Sequence, residues 1–338
     1  MSYPMNCWYV VAWSHEVPAV GMFTRTVLDQ PLLIYRTAAG AIVALEDRCC
    51  HRHAPLSLGR QEGDAVRCGY HGLLFGPDGR CIEVPGMQQP PSRACVRSFP
   101  VVEKNRWVFV WMGDAAAADP ALLPDNGACD DSGWHYRPGY LHYDAPHALI
   151  CDNLLDFSHL SWVHANTLGG SEAIALATPE VTALPRGVRV VRHVAGVPPP
   201  PYYAAIRRFE GLIHRWFEYD FLQPGILLMR SGGHLSGDSP QDPERSVQLR
   251  SCQALTPETA TTSHYFFMQA HPAHIAGDEL SDVIHGLLIQ AFEEDRAMIT
   301  AQATRMDASR PMLPLHFDKA LLMYRRSQRS DSGAPLGA

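Results

Sequence analysis

No run in this 338-residue chain approaches the roughly 18 consecutive apolar residues that a membrane-spanning helix needs. Its opening, MSYPMNCWYVVAWSHEV, also lacks the basic segment and long apolar core of a secretory signal. The expectation is a cytoplasmic protein that does not engage a membrane. Basic residues are scarce relative to acidic ones: the net charge is −7, and lysines and arginines are scattered apart from Arg207-Arg208 and YRRSQRS near the C-terminus. Without a basic stripe to neutralise phosphates, nucleic acid is excluded as a partner. No Gly-x-Gly-x-x-Gly follows a strand-like run, so no nicotinamide or flavin site is visible, and there is neither an internal repeat nor a low-complexity tract. The nine cysteines are odd in number and spread over a long chain. That excludes a small disulfide scaffold and points to metal or thiol chemistry.

What is present suffices to fold. Hydrophobic residues make up 46% and charged residues 19%, too apolar for disorder, and the length allows two domains with separate cores. Up to Met112 the chain reads as short strands (PLLIYR at 31, AIVALED at 41, AVRCGYHGLLF at 65, RWVFVWM before 113) punctuated by glycine turns. Residues 1–115 are therefore an all-β domain. An aperiodic Ala, Asp, Gly and Pro stretch follows, with the boundary over 116–132. A helix is expected around 148–163, then strands at GVRVVRHV (187), RWFEYDFL (215), GILLMR (225) and TSHYFFMQA (262), then a long helix over 278–306. Residues 133–330 thus form an α+β domain, an antiparallel sheet with helices segregated around it. Residues 331–338 read as a frayed tail.

Within DRCCHRHAPLSLGRQEGDAVRCGYHGLLF, Cys49-x-His51 is followed by Cys68-x-x-His71. Two short loops, each offering a thiolate and an imidazole, suit zinc or an iron–sulfur cluster. Cys50 is read as a non-ligand, because pairing it with His53 would break the Cys-x-His spacing. Cys81, Cys95, Cys129, Cys151 and Cys252 are read as small buried hydrophobes.

The run DNLLDFSHLSWVH, 152–164, poses a second problem. Asn153, Asp156 and His159 follow one side of a helix, whereas His164 lies about 140° around from His159. Either the histidines are unrelated, or the helix bends, ends or bulges between them. Two histidines and a carboxylate make the facial triad of a mononuclear non-haem iron site. On the long helix, with Val283 at 0°, the apolar residues Ile284, Leu287, Leu288, Ala291, Met298 and Ile299 fall between about 40° and 160°. Asp295 falls near 120°, inside that arc, with Glu294 at its edge and Glu293 pointing away. A buried carboxylate needs a cation; iron makes Asp295 the third ligand, and the alternative is pairing with a nearby arginine.

The loops RCCHRHAPLSLG and RCGYHGLLF resemble the ligand loops of Rieske proteins, with Cys50 where many relatives have proline. The chain from NCWYVVAW (6–13) to RPMLPLHFD (310–318) resembles the catalytic subunit of Rieske non-haem iron oxygenases. DNLLDFSHLSWVH, LTPET (255–259) and FEEDRAMI (292–299) mark the vanillate demethylase, dicamba demethylase and toluenesulfonate methyl-monooxygenase branch. The resemblance implies an N-terminal Rieske β-domain and a C-terminal helix-grip domain. It implies a [2Fe-2S] cluster held by Cys49, His51, Cys68 and His71, and mononuclear Fe(II) held by His159, His164 and Asp295. Further implications are a homotrimer, with Asp156 bridging the iron site to His71 or His51 of a neighbouring subunit, and a separate reductase, with or without a ferredoxin. Asn153 matches a position near the iron. The implied reaction is monooxygenation of a methyl, methoxy or N-methyl group on a small aromatic acid, using O2. Ring dihydroxylation is the alternative within the class, and an electron carrier fused to a ligand-binding domain, or a zinc-stabilised binding protein, is the alternative outside it. Met229, Gln253, Gly286 and Leu287 are the pocket candidates, with His264 behind them, and Arg207, Arg208 and Arg230 are candidates to pair with a substrate carboxylate or sulfonate.

Overall fold

The run WVFVWM has no polar residue to turn towards water, and the strand it forms, Trp107–Met112, is buried at every position. Cys7–Trp13 pairs with one edge of it and Val101–Lys104 with the other. The computed structural model describes residues 3–331 except 170, 241 and 308. The predicted tail, beyond residue 331, lies outside the described residues. The chain divides into two units, one reaching Leu123 and including Thr256–Ala260, the other made of Pro124–Leu255 and the residues from Thr261 onward. The expected linker is a series of single 3-10 turns, such as Pro120–Leu122 and Gly127–Cys129.

Unit one is all β. Besides the sheet just described it has two four-stranded sheets, one of Met22–Val27, Gln30–Arg36, Ile42–Glu46 and Ser98–Phe99, the other of Arg60–Glu62, Ala65–Arg67, Leu74–Phe75 and Cys81–Glu83. Leu33, Tyr35, Leu45, Val66 and Phe75 pack into one core with the thiols of Cys49 and Cys68. The second loop is thereby pinned at the base of the Ala65–Arg67 and Leu74–Phe75 hairpin. The predicted continuous strand at 65 is in fact two short strands with this loop between them. The excursion at Thr256–Ala260 donates carbonyls to unit one: Leu28 and Asp29 bond Pro257 and Glu258 through their amides, each at 2.9 Å.

Unit two is built on an eight-stranded sheet. Its order runs Trp134–His135, Ser263–Pro272, Ser246–Pro257, Ile226–Leu235, Ile213–Leu222, Gly187–Val197, Glu180–Leu184, with Gly139–Tyr143 also pairing to Ser263–Pro272. The period of two is plain in Ile213–Leu222, where every second residue, from Ile213 to Phe221, is buried. The Ser246–Pro257 strand carries polar residues at several positions, and the sequence reading did not resolve it. Among the described residues four helices accompany the sheet: α1 (His147–Leu155), α2 (Ala173–Leu176), α3 (Asp278–Ala303) and α4 (Lys319–Asp331). Helix α3 buries Ile284, Leu288, Ala291, Phe292, Asp295 and Ile299. Phe292 packs edge-on to Phe267 at 4.8 Å, and burial of such a side chain contributes roughly 2–3 kcal/mol. Met298, placed on the apolar arc by its angle, is 57% exposed instead. Helix α3 also ends three residues short of the predicted 306.

His147 opens α1, buried, with the Cys151 sulfur 3.5 Å from Nε2. Burial pushes its imidazole down to about 4, against hydrogen bonds involving the backbone of Leu255 and Pro224. The folded value lies below the unfolded one of about 6.5, so below pH 6.5 the unfolded chain binds the proton first. The contribution is fully present above that pH and is lost as pH falls towards 4, by about 3 kcal/mol in all. A plot of melting temperature against pH is expected to fall across that window, and to fall less steeply in His147→Gln.

Candidate functional site

The two cysteine loops of unit one fold alike. Cys49 N–H donates to Ala54 O at 2.8 Å while Cys49 O accepts from His53 N–H at 2.9 Å; Cys68 N–H donates to Leu73 O at 2.8 Å while Cys68 O accepts from Gly72 N–H at 3.1 Å. The fifth residue of each turn has positive φ, 59° at His53 and 75° at Gly72. Cys49 and Cys68 are both 2% exposed, whereas His51 and His71 are exposed, with ring centroids 4.5 Å apart. Burial pushes the Cys49 thiol up to about 11, with the His51 backbone amide pulling the other way and the neighbouring Cys68 thiol adding to the rise. Desolvation, His51 and Arg52 hold the His71 imidazole below its ordinary range. Two thiols inward and two imidazoles outward are the donor set that a Rieske cluster takes, two of each kind on different irons. Cys50 is exposed, as is Cys95, which corrects the reading of Cys95 as buried: it follows a turn, and only its neighbour Val96 faces the core.

In unit two the helix question resolves as an ending. Helix α1 stops at Asp156, whose backbone is extended at φ −127°, and a 3-10 helix, Phe157–Ser161, restarts at once. The Asp156 carboxylate caps that second helix, accepting from Ser158 N–H at 2.8 Å and from the Ser158 hydroxyl. The redirected chain brings the rings of His159 and His164 to 5.3 Å. From α3, Asp295 meets them: Oδ1 is 3.6 Å from His159 Nε2 and Oδ2 is 3.1 Å from His164 Nε2. One ligating atom from each residue lies within 4.8 Å of the others. Asp295 and His164 are buried, and Asp295 pairs with the histidines rather than with an arginine; Arg296 takes Glu293.

The surrounding contacts fit a metal. The backbone carbonyl of Asp156 can only accept, so His159 Nδ1 is the donor and Nε2 is left with its lone pair. His164 Nδ1 faces Glu294 Oε2 at 2.8 Å, and Thr167 Oγ1 donates to the same oxygen at 2.7 Å. Asn153 Nδ2 donates to Asp295 Oδ1 at 3.0 Å. Burial lowers the His159 imidazole, and at His164 burial is outweighed by Asp295 and Glu294, so it is raised. Two imidazoles and one carboxylate, each steered by an outer partner, form the facial set of non-haem iron(II). Sequence reasoning left Asn153 open and put Glu294 at the arc's edge. The i, i+3 spacing from Asn153 to Asp156 gave no hint that a helix distant in sequence would supply the amide's acceptor. Replacing Glu294 with Gln is expected to weaken iron retention about 10- to 100-fold, measured as iron per chain after dialysis against a chelator series; unchanged retention would discount the steering contact.

A cavity enclosing about 520 Å³ of empty space, part of it open to solvent, begins at this triad. Met229 and Gln253 line it, as anticipated, and so do Leu288, Phe292 and Arg215. The other candidates do not line it. Gly286 is exposed, with open space where a Cβ would stand; Leu287 is half-buried beside the core, the lining position being Leu288. Arg230 lies on the opposite face of its strand from Met229, in an exposed pair with Glu218 at 2.8 Å. His264 is buried against the Tyr140 hydroxyl at 2.9 Å. Arg207 and Arg208 are likewise absent from the lining residues.

Residues 7–100 match the family model of the Rieske [2Fe-2S] domain, and residues 143–330 match that of the vanillate O-demethylase oxygenase C-terminal domain. The toluene-4-sulfonate monooxygenase system iron-sulfur subunit of Comamonas testosteroni is 44% identical, over 94% of this chain and 93% of its own. A vanillate O-demethylase oxygenase subunit from a Pseudomonas species is 34% identical, over 89% and 93%. The crystal structure of dicamba monooxygenase bound to dicamba superposes with a TM-score of 0.88 at 29% identity, covering 98% of this chain and 100% of that one. Among the described residues no helix is long and apolar enough to cross a membrane.

Proposed function

Because the chain belongs to the Rieske oxygenases that carry the vanillate O-demethylase oxygenase C-terminal domain, we propose that it hydroxylates a methyl, methoxy or N-methyl group of a small aromatic acid. It does so as the oxygenase component of a multicomponent system, a homotrimer fed by a reductase, with or without a ferredoxin. Nine cysteines free of disulfides favour the reducing cytoplasm as its compartment.

The observation that carries this reading is the His159, His164 and Asp295 set, which lines an otherwise largely apolar cavity. Cys49, His51, Cys68 and His71 would hold the cluster, and the triad the iron. Iron supplies oxygen activation beside the substrate when bound, and the cluster supplies electrons. The remaining work belongs to the chain. Asp156 fixes the His159 ring through its carbonyl and keeps a partly exposed carboxylate, which would accept from a cluster histidine of the neighbouring copy. Asn153 holds Asp295 in place, and Leu154, Phe157 and Phe217 exclude water from the cavity. Hydroxylation of an O-methyl or N-methyl group gives a product that releases formaldehyde; hydroxylation of an aryl methyl gives a benzyl alcohol. The test is a panel of methyl-, methoxy- and N-methyl-substituted aromatic acids with a surrogate reductase under labelled O2. One labelled oxygen in formaldehyde or a benzyl alcohol supports the proposal. A ring diol carrying two, or no product across the panel, overturns it.

A further inference from the structure

Two side chains that line the cavity carry donors that nothing among the described residues satisfies. Arg215 stands on the inward face of the Ile213–Leu222 strand, 2% exposed. Its two terminal nitrogens donate to Gly169 O at 2.9 Å and Leu168 O at 2.7 Å, while Nε has no hydrogen-bond partner. Among the described residues no carboxylate pairs with it. Its charge rests instead against the rings of Phe217 at 4.7 Å, Tyr203 at 5.6 Å and Tyr202 at 5.9 Å. Three strands along the sheet, Gln269 also lines the cavity, 7% exposed. Its Oε1 accepts from Ser251 Oγ at 3.2 Å, which leaves Nε2 with no partner.

Such an arrangement is costly in isolation. A buried donor without an acceptor forfeits about 1–3 kcal/mol, and an unpaired buried charge more. Hydrophobic side chains would fit these positions on an inward sheet face without that cost. The donors share one cavity, carry a positive charge and lack an acceptor, so the complementary guest is an oxyanion. We infer that Arg215 and Gln269 bind the anionic end group of the aromatic substrate, a sulfonate or a carboxylate, and select such substrates over neutral methyl arenes. The inference rests on the reading above that the cavity is the substrate site. Arg215 reaches the pocket where Arg230 does not, because alternation on a strand directs odd-numbered residues of 213–221 inward.

The test uses holoenzyme, with oxygen excluded, and isothermal titration of 4-methylbenzenesulfonate, 4-methylbenzoate and the neutral 4-methylacetophenone. Wild type is expected to bind at least one anion about tenfold or more tighter than the ketone, as a buried charge-assisted contact implies. Which anion it prefers identifies the end group. Arg215→Met should weaken anion binding about 100-fold while changing the ketone little, and Arg215→Lys should fall between. Gln269→Leu should cost the anion about five- to tenfold. Arg215 also anchors the turn after His164, so iron content is measured in each variant, and Gln269→Leu, which leaves that turn untouched, decides the matter if Arg215→Met does not fold. A wild type that binds the ketone as tightly as the anions, or binds neither anion, overturns the inference; so do variants that keep the anion preference. The same samples, supplied with reductase and O2, separate the two readings. An Arg215-dependent anion preference without methyl oxidation leaves the anchor standing and removes the hydroxylase. Oxidation of ketone and anion alike, insensitive to the variants, does the reverse.

Discussion

Asp295→Ala is expected to yield a folded protein that keeps the visible absorption of its cluster, holds no mononuclear iron and turns over at less than about 1% of the wild-type rate. Three contacts converge on this carboxylate: His159, His164 and the Asn153 amide. Removing it takes away the carboxylate that faces Nε2 of both His159 and His164, and two imidazoles alone bind iron(II) weakly. The folding cost is small by comparison. A buried carboxylate is itself expensive to desolvate, so its loss offsets part of the lost contacts, and the melting temperature should move little. Iron analysis, electron paramagnetic resonance of the cluster and product formation measured on one preparation check each part. A variant with one mononuclear iron per chain and near wild-type turnover would remove Asp295 from the site.

Gly59→Ala should act at the other centre with comparable force. Gly59 has a negative φ, −93°, with ψ −139°, so a left-handed conformation is not the reason for glycine there. The reason is proximity: a Cβ would sit 1.9 Å from Arg67 O and 2.9 Å from Gly69 N, and one on Gly69 would sit 2.6 Å from Leu58 O. The chain following the first cysteine loop thus lies directly against the start of the second, backbone on backbone, and no side chain can swing aside to make room. Overpacking of this kind costs roughly 3 kcal/mol and spreads the loops whose thiols must converge. The expected variant lacks the visible absorption and acid-labile sulfide of the cluster, yet retains mononuclear iron, because the triad lies in the other unit. Normal cluster content would show that the loops tolerate separation.

What could be read beforehand divides along a physical line. Helix periodicity placed Asp295 on a buried arc, because burial on α3 follows angle over most of its length, Met298 being the exception. The five-residue histidine spacing signalled a break in the helix, and Asp156, a good cap residue, is where it occurs. Contacts that depend on which strand or helix lies opposite were out of reach: Asn153 to Asp295, Glu294 to His164 and Arg215 to the cavity each join residues more than 40 positions apart. One error was avoidable. Met229 and Arg230 are neighbours on a strand, so they cannot both face the same cavity. Gly286 failed by the angular rule that placed Asp295: about 300° round from Val283, it lies outside the apolar arc, on the exposed side of α3.

The candidate metal ligands of unit two stand on the 3-10 segment after α1, on the turns that follow it and on α3, while the far wall of the cavity is made by side chains of adjoining strands. Strand positions are held by a backbone ladder that no single side chain maintains, so a wall residue such as Met229 can be exchanged without moving its neighbours or the ligands, Arg215 with its bonds to the turn after His164 being the exception. Chemistry and selectivity are therefore inherited separately. A lineage carrying this scaffold can explore new substrates one strand position at a time, keeping a working metal site throughout.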